Sequence, residues 1–190
     1  RQRGGLLEER GGLYRFNHLS IQEFLAARYL AEVERDVGRI AAFFEAEDRL
    51  TDSWWREAIL LTGGYLHVTA SDVAMQLIHR LAHLGATPPP QTAVAMAAAE
   101  LASVTFLEWG GTEGTQRALA NRLVALVTDP TIAQAAPRLR AATGQALGRL
   151  GDPREGVGVR EQVPDLVWCS VPAGAFLLGA GPEDQEAYDD

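Results

Sequence analysis

Between residues 21 and 150 apolar side chains recur every three or four positions, the spacing that lines one face of an α-helix. Just before this region, Leu13-Tyr14-Arg15-Phe16 alternates apolar and polar after Gly11-Gly12, which predicts a short strand entered through a turn. Ser20 and Glu23 have the S-x-x-E spacing of a capping box, so a helix is expected to begin at Ile21. Phe24, Leu25, Ala27, the Arg28 stem, Leu30 and Ala31 would face a core, with Gln22, Glu23 and residues 32–34 on the wet side. Further helices are expected over 37–47, 53–66, 72–84, 92–108, 113–127 and 137–150. Their ends carry the expected signals. Thr51-Asp52-Ser53 supplies N-cap residues, Gly63-Gly64 weakens the end of its helix, and Gly85 and Pro88-Pro89-Pro90 stop the next. Gly110-Gly111 separates two more, and Pro137 and Gly151-Asp152-Pro153 bracket the last.

Helices that are apolar on one side must bury that side against neighbours. The expected fold is therefore mainly α, an irregular α-solenoid or HEAT-like helical array. Residues 138–153 read as one HEAT-type repeat helix with its turn, and Phe43, Phe44, Trp54, Trp55, Ile59 and Leu61 as the main core. The composition changes near residue 151. Glycine, proline and charge mark 151–165 as a linker, and beyond it Leu166-Val167-Trp168-Cys169-Ser170-Val171, the turn Pro172-Ala173-Gly174 and Ala175-Phe176-Leu177-Leu178-Gly179 read as a short β-hairpin at the C-terminal end. Four segments result: 1–36, a helical array over 37–150, the linker 151–165, and 166–190 as the opening of a further domain, since two strands alone are marginal in water.

Composition then narrows the chemistry. All 17 basic side chains are arginine, so the lysine that a P-loop or a Schiff base needs is missing. A single cysteine, Cys169, excludes an internal disulfide and every multi-cysteine zinc site, and its place in an apolar alternation predicts a buried structural thiol. His79 and His83 are four residues apart on one expected helix, yet Arg80 stands where a metalloprotease motif has glutamate, and ordinary core residues surround them. Trp54-Trp55 reads as a packing anchor, and the acidic 183–190 stretch as a solvated loop without EF-hand spacing. A net charge of -8 argues against a sequence-independent nucleic-acid grip. No apolar run approaches the ~20 residues that cross a bilayer, and the start lacks a signal peptide, which points to the cytoplasm. The chain opens on Arg1 and closes on Asp190 without initiator or terminating signals, and reads as a segment of a longer protein.

Two stretches resemble known families. Phe16-Asn17-His18-Leu19-Ser20-Ile21-Gln22-Glu23-Phe24-Leu25-Ala26-Ala27 resembles the F-x-H-x-[ST]-F-Q-E-[FY]-x-A-A signature that closes the winged-helix region of bacterial NACHT-type (STAND) signal-transduction NTPases, with Ile21 in place of the usual aromatic. Trp54-Trp55-Arg56-Glu57-Ala58-Ile59-Leu60-Leu61 and the helices around it are similar to the region that follows. The resemblance implies an NTPase domain upstream that binds ATP or ADP with Mg²⁺. It also implies that His18 reaches the β-phosphate of ADP in the resting state. Read from its residues alone, His18 is a half-buried side chain hydrogen-bonded at a strand-to-helix junction.

The second stretch, Val171-Pro172-Ala173-Gly174-Ala175-Phe176-Leu177-Leu178-Gly179 with Asp184, Ala187, Asp189 and Asp190, resembles the opening of a formylglycine-generating-enzyme (sulfatase-modifying factor) domain, with Leu178 for the common methionine. The expected function is that of a non-catalytic helical connector with no cofactor and no metal of its own. It would couple the nucleotide state of the upstream domain to the downstream one. Its partners would be those two domains, other proteins or further copies of itself, with neither nucleic acid nor membrane. One alternative is a passive spacer in a parent that is mainly a formylglycine-generating-enzyme-like oxidoreductase or ligand-binding protein; another is a free-standing helical adaptor.

Overall fold

The computed structural model describes residues 5–85 and 92–175. Strands β1 (Leu7–Arg10) and β2 (Leu13–Phe16) form an antiparallel hairpin in which Leu7 faces Phe16 and Arg10 faces Leu13. Its two-residue turn is Gly11-Gly12, both at positive φ (60° and 80°), a conformation that costs glycine nothing and matches the twist of the strands. Helix α1 (Leu19–Tyr29) follows and passes directly into a π-helical turn over Leu30–Glu34. Arg35, at φ 49°, reverses the chain, and the Asp36 carboxylate accepts the Arg39 N–H to start α2 (Val37–Glu45). A 3₁₀ turn (Ala46–Asp48) leads to α3 (Ser53–Thr69), and α4 (Ser71–Ala82) follows closely. Beyond it come α5 (Thr92–Trp109), α6 (Glu113–Val127), a 3₁₀ turn (Pro130–Gln134) and α7 (Pro137–Leu150).

The protein is a mainly α, irregular helical array. Its principal helix contacts are α1 on α3, α2 on α4, α3 on α5 and α5 on α7, besides contacts between successive helices. Partners so close in sequence are the pattern of a solenoid. The core runs through all of them, from Leu30, Ile40 and Phe44 through Ile59, Leu77, Ile78, Leu81, Met96 and Leu101 to Leu123 and Leu147. Helix α5 departs from the one-sided expectation. It is enclosed by α3, α4, α6 and α7, and Ala95, Ala97, Ala98, Ala99 and Ala102 are all buried. Apolar residues around a whole helix are the mark of a central one.

Most polar groups inside this core are paired, the buried Thr105 hydroxyl of α5 being an exception among the described residues. Glu100 on α5 is 3% exposed, and the Arg56 guanidinium on α3 donates to both its oxygens at 2.6 and 2.7 Å. This fork ties α3 to α5 and keeps a buried carboxylate neutralised. Side chains of α6 close two neighbouring helices. Arg122 Nε donates to the Ala82 carbonyl at the end of α4 (2.9 Å), and Gln116 Nε2 donates to the Leu150 carbonyl at the end of α7 (2.6 Å). Both satisfy carbonyls that a helix end otherwise leaves without a partner.

Several expectations are corrected. The capping box does not form: α1 begins at Leu19 with His18 as N-cap, which puts Ser20 inside the first turn. Helix α3 runs past the expected end at Leu66, to Thr69. Trp54 is 56% exposed and is no part of the core, whereas Trp55 packs edge-on against Phe43 at 5.5 Å. An unexpected short hairpin, β3 (Val159–Arg160) against β4 (Val163–Pro164), lies within the expected linker. Residues 166–175 carry no strand, and the expected return strand beyond 175 lies outside the described residues, as do Pro88-Pro89-Pro90 and the acidic stretch 183–190. Cys169 is exposed, not buried, because its segment has no sheet to join among the described residues.

The two glycines of α3 should respond oppositely to alanine. A β-carbon at Gly63 would lie 2.6 Å from Trp109 Cη2 and 2.8 Å from Thr105 Cγ2, in a space that Trp109 fills while stacked on His67 at 4.9 Å. At Gly64 the nearest atom is 3.8 Å away. Urea unfolding should show Gly64→Ala stabilising by about 0.5–1 kcal/mol, the helix-propensity gain, and Gly63→Ala destabilising by roughly 1–2 kcal/mol through overpacking. Equal shifts for both would contradict the packing of α3 on α5.

Candidate functional site

The motif residues 16–27 span the hairpin-to-α1 junction. Asn17 closes the hairpin: its N–H donates to the Leu6 carbonyl at 3.0 Å, and its side-chain amide donates to the Gly5 carbonyl. His18 comes next, in extended geometry (φ -129°, ψ 128°), and its carbonyl accepts the N–H groups of Ile21 (3.2 Å) and Gln22 (3.5 Å). Its backbone is thus held from both sides. The imidazole is exposed and, among the described residues, has no hydrogen-bond partner. The half-buried, bonded histidine expected from the residues alone is not what the fold contains.

Helix α1 presents two apolar faces. Ala27, Leu30 and Ala31 are buried toward α3. On the opposite side Ile21, Leu25 and Tyr29 repeat every four residues, and Val33 extends the row into the π-helical turn. Leu25, Tyr29 and Val33 are exposed, and Phe24 and Leu19 flank them in the open. The hairpin adds Leu7 and Tyr14 on the face that also carries Phe16, while its other face is charged: Glu8 accepts from Arg10 (3.0 Å) and Arg15 (2.8 Å). Exposed apolar rows of this kind mark interaction surfaces.

A polar latch holds α1 in place on its packed side. The Tyr65 hydroxyl of α3 donates to one Glu32 oxygen, Arg28 Nε donates to the other at 3.0 Å, and Arg35 Nε donates to the Glu32 carbonyl at 2.6 Å. The Tyr65 hydrogen bond first, and the Arg28 guanidinium second, hold the Glu32 carboxyl below its ordinary value. The same bond pushes the Tyr65 phenol up.

The other candidates do not assemble into a site. His79 and His83 are both exposed, the latter already at the C-cap of α4, and no group of three or more potential metal-ligating side chains occurs among the described residues. Leu166, Val167, Trp168 and Val171 around Cys169 are all exposed, Trp168 at 87%. No helix among the described residues is long and apolar enough to cross a membrane. No protein-family model, curated protein or solved structure matches the chain.

The latch has a pH signature. A carboxyl held low in the folded state contributes stability that is complete above its unfolded pKa and disappears as the pH falls through the folded one. Between about pH 6 and about pH 3 the melting temperature of Glu32→Gln should therefore fall less than that of the unaltered chain. An identical fall would show that Glu32 holds nothing in place.

Proposed function

We propose that the chain is a non-catalytic helical connector within a NACHT-type signal-transduction NTPase of the cytoplasm, and that it couples nucleotide state to a following formylglycine-generating-enzyme-like domain. The observation that carries this reading is the uncovered α1 face with His18 at its head. A helix with apolar residues on two faces calls for a neighbour on each, and α3 covers only one of those of α1. The resemblance of residues 16–27 supports an upstream NTPase domain as the second neighbour. That domain would bring ADP and Mg²⁺ to the junction, and the connector would hold no cofactor itself.

In this arrangement the His18 imidazole donates a hydrogen bond to the diphosphate. It does so from a backbone already fixed by Asn17 and by the first turn of α1, so little order is lost on binding. A donor that meets the nucleotide in one arrangement of the domains and misses it in the other shifts the balance between them by that difference alone. At the far end, the exposed Leu166–Val171 segment is apolar on both of its alternating faces, which supports its burial in a following domain.

The test uses the full-length protein. His18→Ala should speed ADP release about tenfold, the value of one charge-assisted hydrogen bond, and raise basal signalling. Unchanged ADP release would remove His18 from the nucleotide site, and ATP turnover by the purified 190-residue chain would contradict the connector reading.

A further inference from the structure

We propose that residues 5–29, the β1–β2 hairpin with α1, form an arm that comes off α3 while the rest of the array stays folded, hinged at residues 30–35 and held shut by Tyr65. The arm has little apolar hold on the core. From residue 5 to residue 29, Ala27 is the sole buried side chain, and Phe24 and Leu25 of α1 are 44% and 37% exposed. Among the described residues the hairpin packs on α1 alone, and α1 on α3 alone among the other α-helices, beyond marginal contacts. Directly after the arm the burial changes, with Leu30, Ala31, Ile40, Ala41 and Phe44 all inside. A segment that buries one methyl group opens at far lower cost than the core behind it.

What holds the arm is polar and centred on one residue. The Tyr65 ring meets Phe24 edge-on, with centroids 6.2 Å apart. Its hydroxyl donates to Glu32, whose other oxygen accepts from Arg28 Nε at 3.0 Å. Tyr65 thus grips both the middle of α1 and the turn at its end. Glu32, Arg35 and Tyr65 also line an open cavity of about 530 Å³, so water reaches the latch. Hydrogen bonds and ion pairs within reach of water are readily exchanged for it, which keeps the latch releasable.

The hinge carries marks of its own. Leu30–Glu34 is a π-helical turn, and Arg35, which ends it, is a non-glycine residue at φ 49°. Such conformations persist where the surrounding structure has a use for them, and a change of backbone angles at an element's end is one such use. Two cavities border the turn, that of about 530 Å³ beside Ala31 and Glu32 and another of about 700 Å³ beside Leu30 and Glu34. They leave the room for movement that a close-packed interior denies. On opening, the Ala27 face joins Leu25 and Tyr29 in solvent, and a partner of the arm meets more apolar surface than the closed array offers. The arm goes beyond the connector reading and stands whether or not that reading holds.

The test reads the 190-residue chain in two ways. In the unaltered chain, amide hydrogen exchange should be at least about tenfold faster in α1 than in α2 or α5, because so short a helix does not persist once detached. In a Cys169→Ser background, thiol labelling of Ala27→Cys should run at least about tenfold faster than that of Ser103→Cys, which is buried in α5 and reports opening of the core. Tyr65→Phe keeps the ring and removes the hydroxyl. It should speed exchange in α1 and labelling at position 27 about fivefold, the worth of one hydrogen bond, and leave α5 and position 103 unmoved. Exchange in α1 as slow as in α5 would overturn the proposal, as would labelling at position 27 as slow as at position 103. So would a Tyr65→Phe effect that is absent or equal in α1 and α5. Exchange of α2 in step with α1 would do the same, because the hinge would then lie elsewhere.

Discussion

Four helices close on α5 because the residues facing them are hardly larger than the backbone. Ala95, Ala97, Ala98, Ala99 and Ala102 carry one methyl each, so α3, α4, α6 and α7 can all approach a single 18-residue helix. Two further ties depend on that closeness. The Arg56 fork reaches Glu100 only where α3 lies against α5, and the Trp109 indole reaches the space over Gly63 only from the end of the same helix. The interior thus combines the small side chains of α5 with large ones from α2 through α7, Met96, Leu101 and Phe106 of α5 among them.

The helical part of this architecture is legible from residue order, because the signals are local. Pro137 and Gly151 bracket α7, Thr112 caps α6, and Asp52 caps α3, each through its own side chain or backbone geometry. Where tertiary contacts outrank local ones, the reading misplaces things. Ser20 and Glu23 advertise a helix start, yet the hairpin closed by Asn17 delivers the chain in helical position two residues earlier. Strand β1, Leu7-Glu8-Glu9-Arg10, has no apolar alternation to announce it and owes its pairing to the Gly-Gly turn and to the Glu8–Arg15 contact across the ladder. Trp54 and Trp55 are indistinguishable in sequence, but Trp55 meets Phe43 while Trp54 stays in the open.

The candidate sites divide in the same way. His18 stands out as a motif residue, and its exposure is consistent with a role that a bonded, half-buried histidine would not have. The Phe43–Trp55 contact gives no comparable signal, since the two rings belong to different helices and are brought together only by the turn between them. Apolar surface is displayed at both ends of the described chain, from Leu6 to Val33 and again from Leu166 to Val171. Between them, Trp54 and Val68 of α3 are the large apolar side chains left in the open among the described residues up to α7.

Helices that pack on partners no more than two places away also have a consequence for biosynthesis. As the chain leaves the ribosome, α3 finds α1 already made, and α5 finds α3 and α4 waiting. No helix must stay bare until a distant stretch is translated, so little of the loop-closure entropy that slows strand-rich proteins has to be overcome. An alanine-rich helix that would be helpless alone arrives after its first two walls are standing.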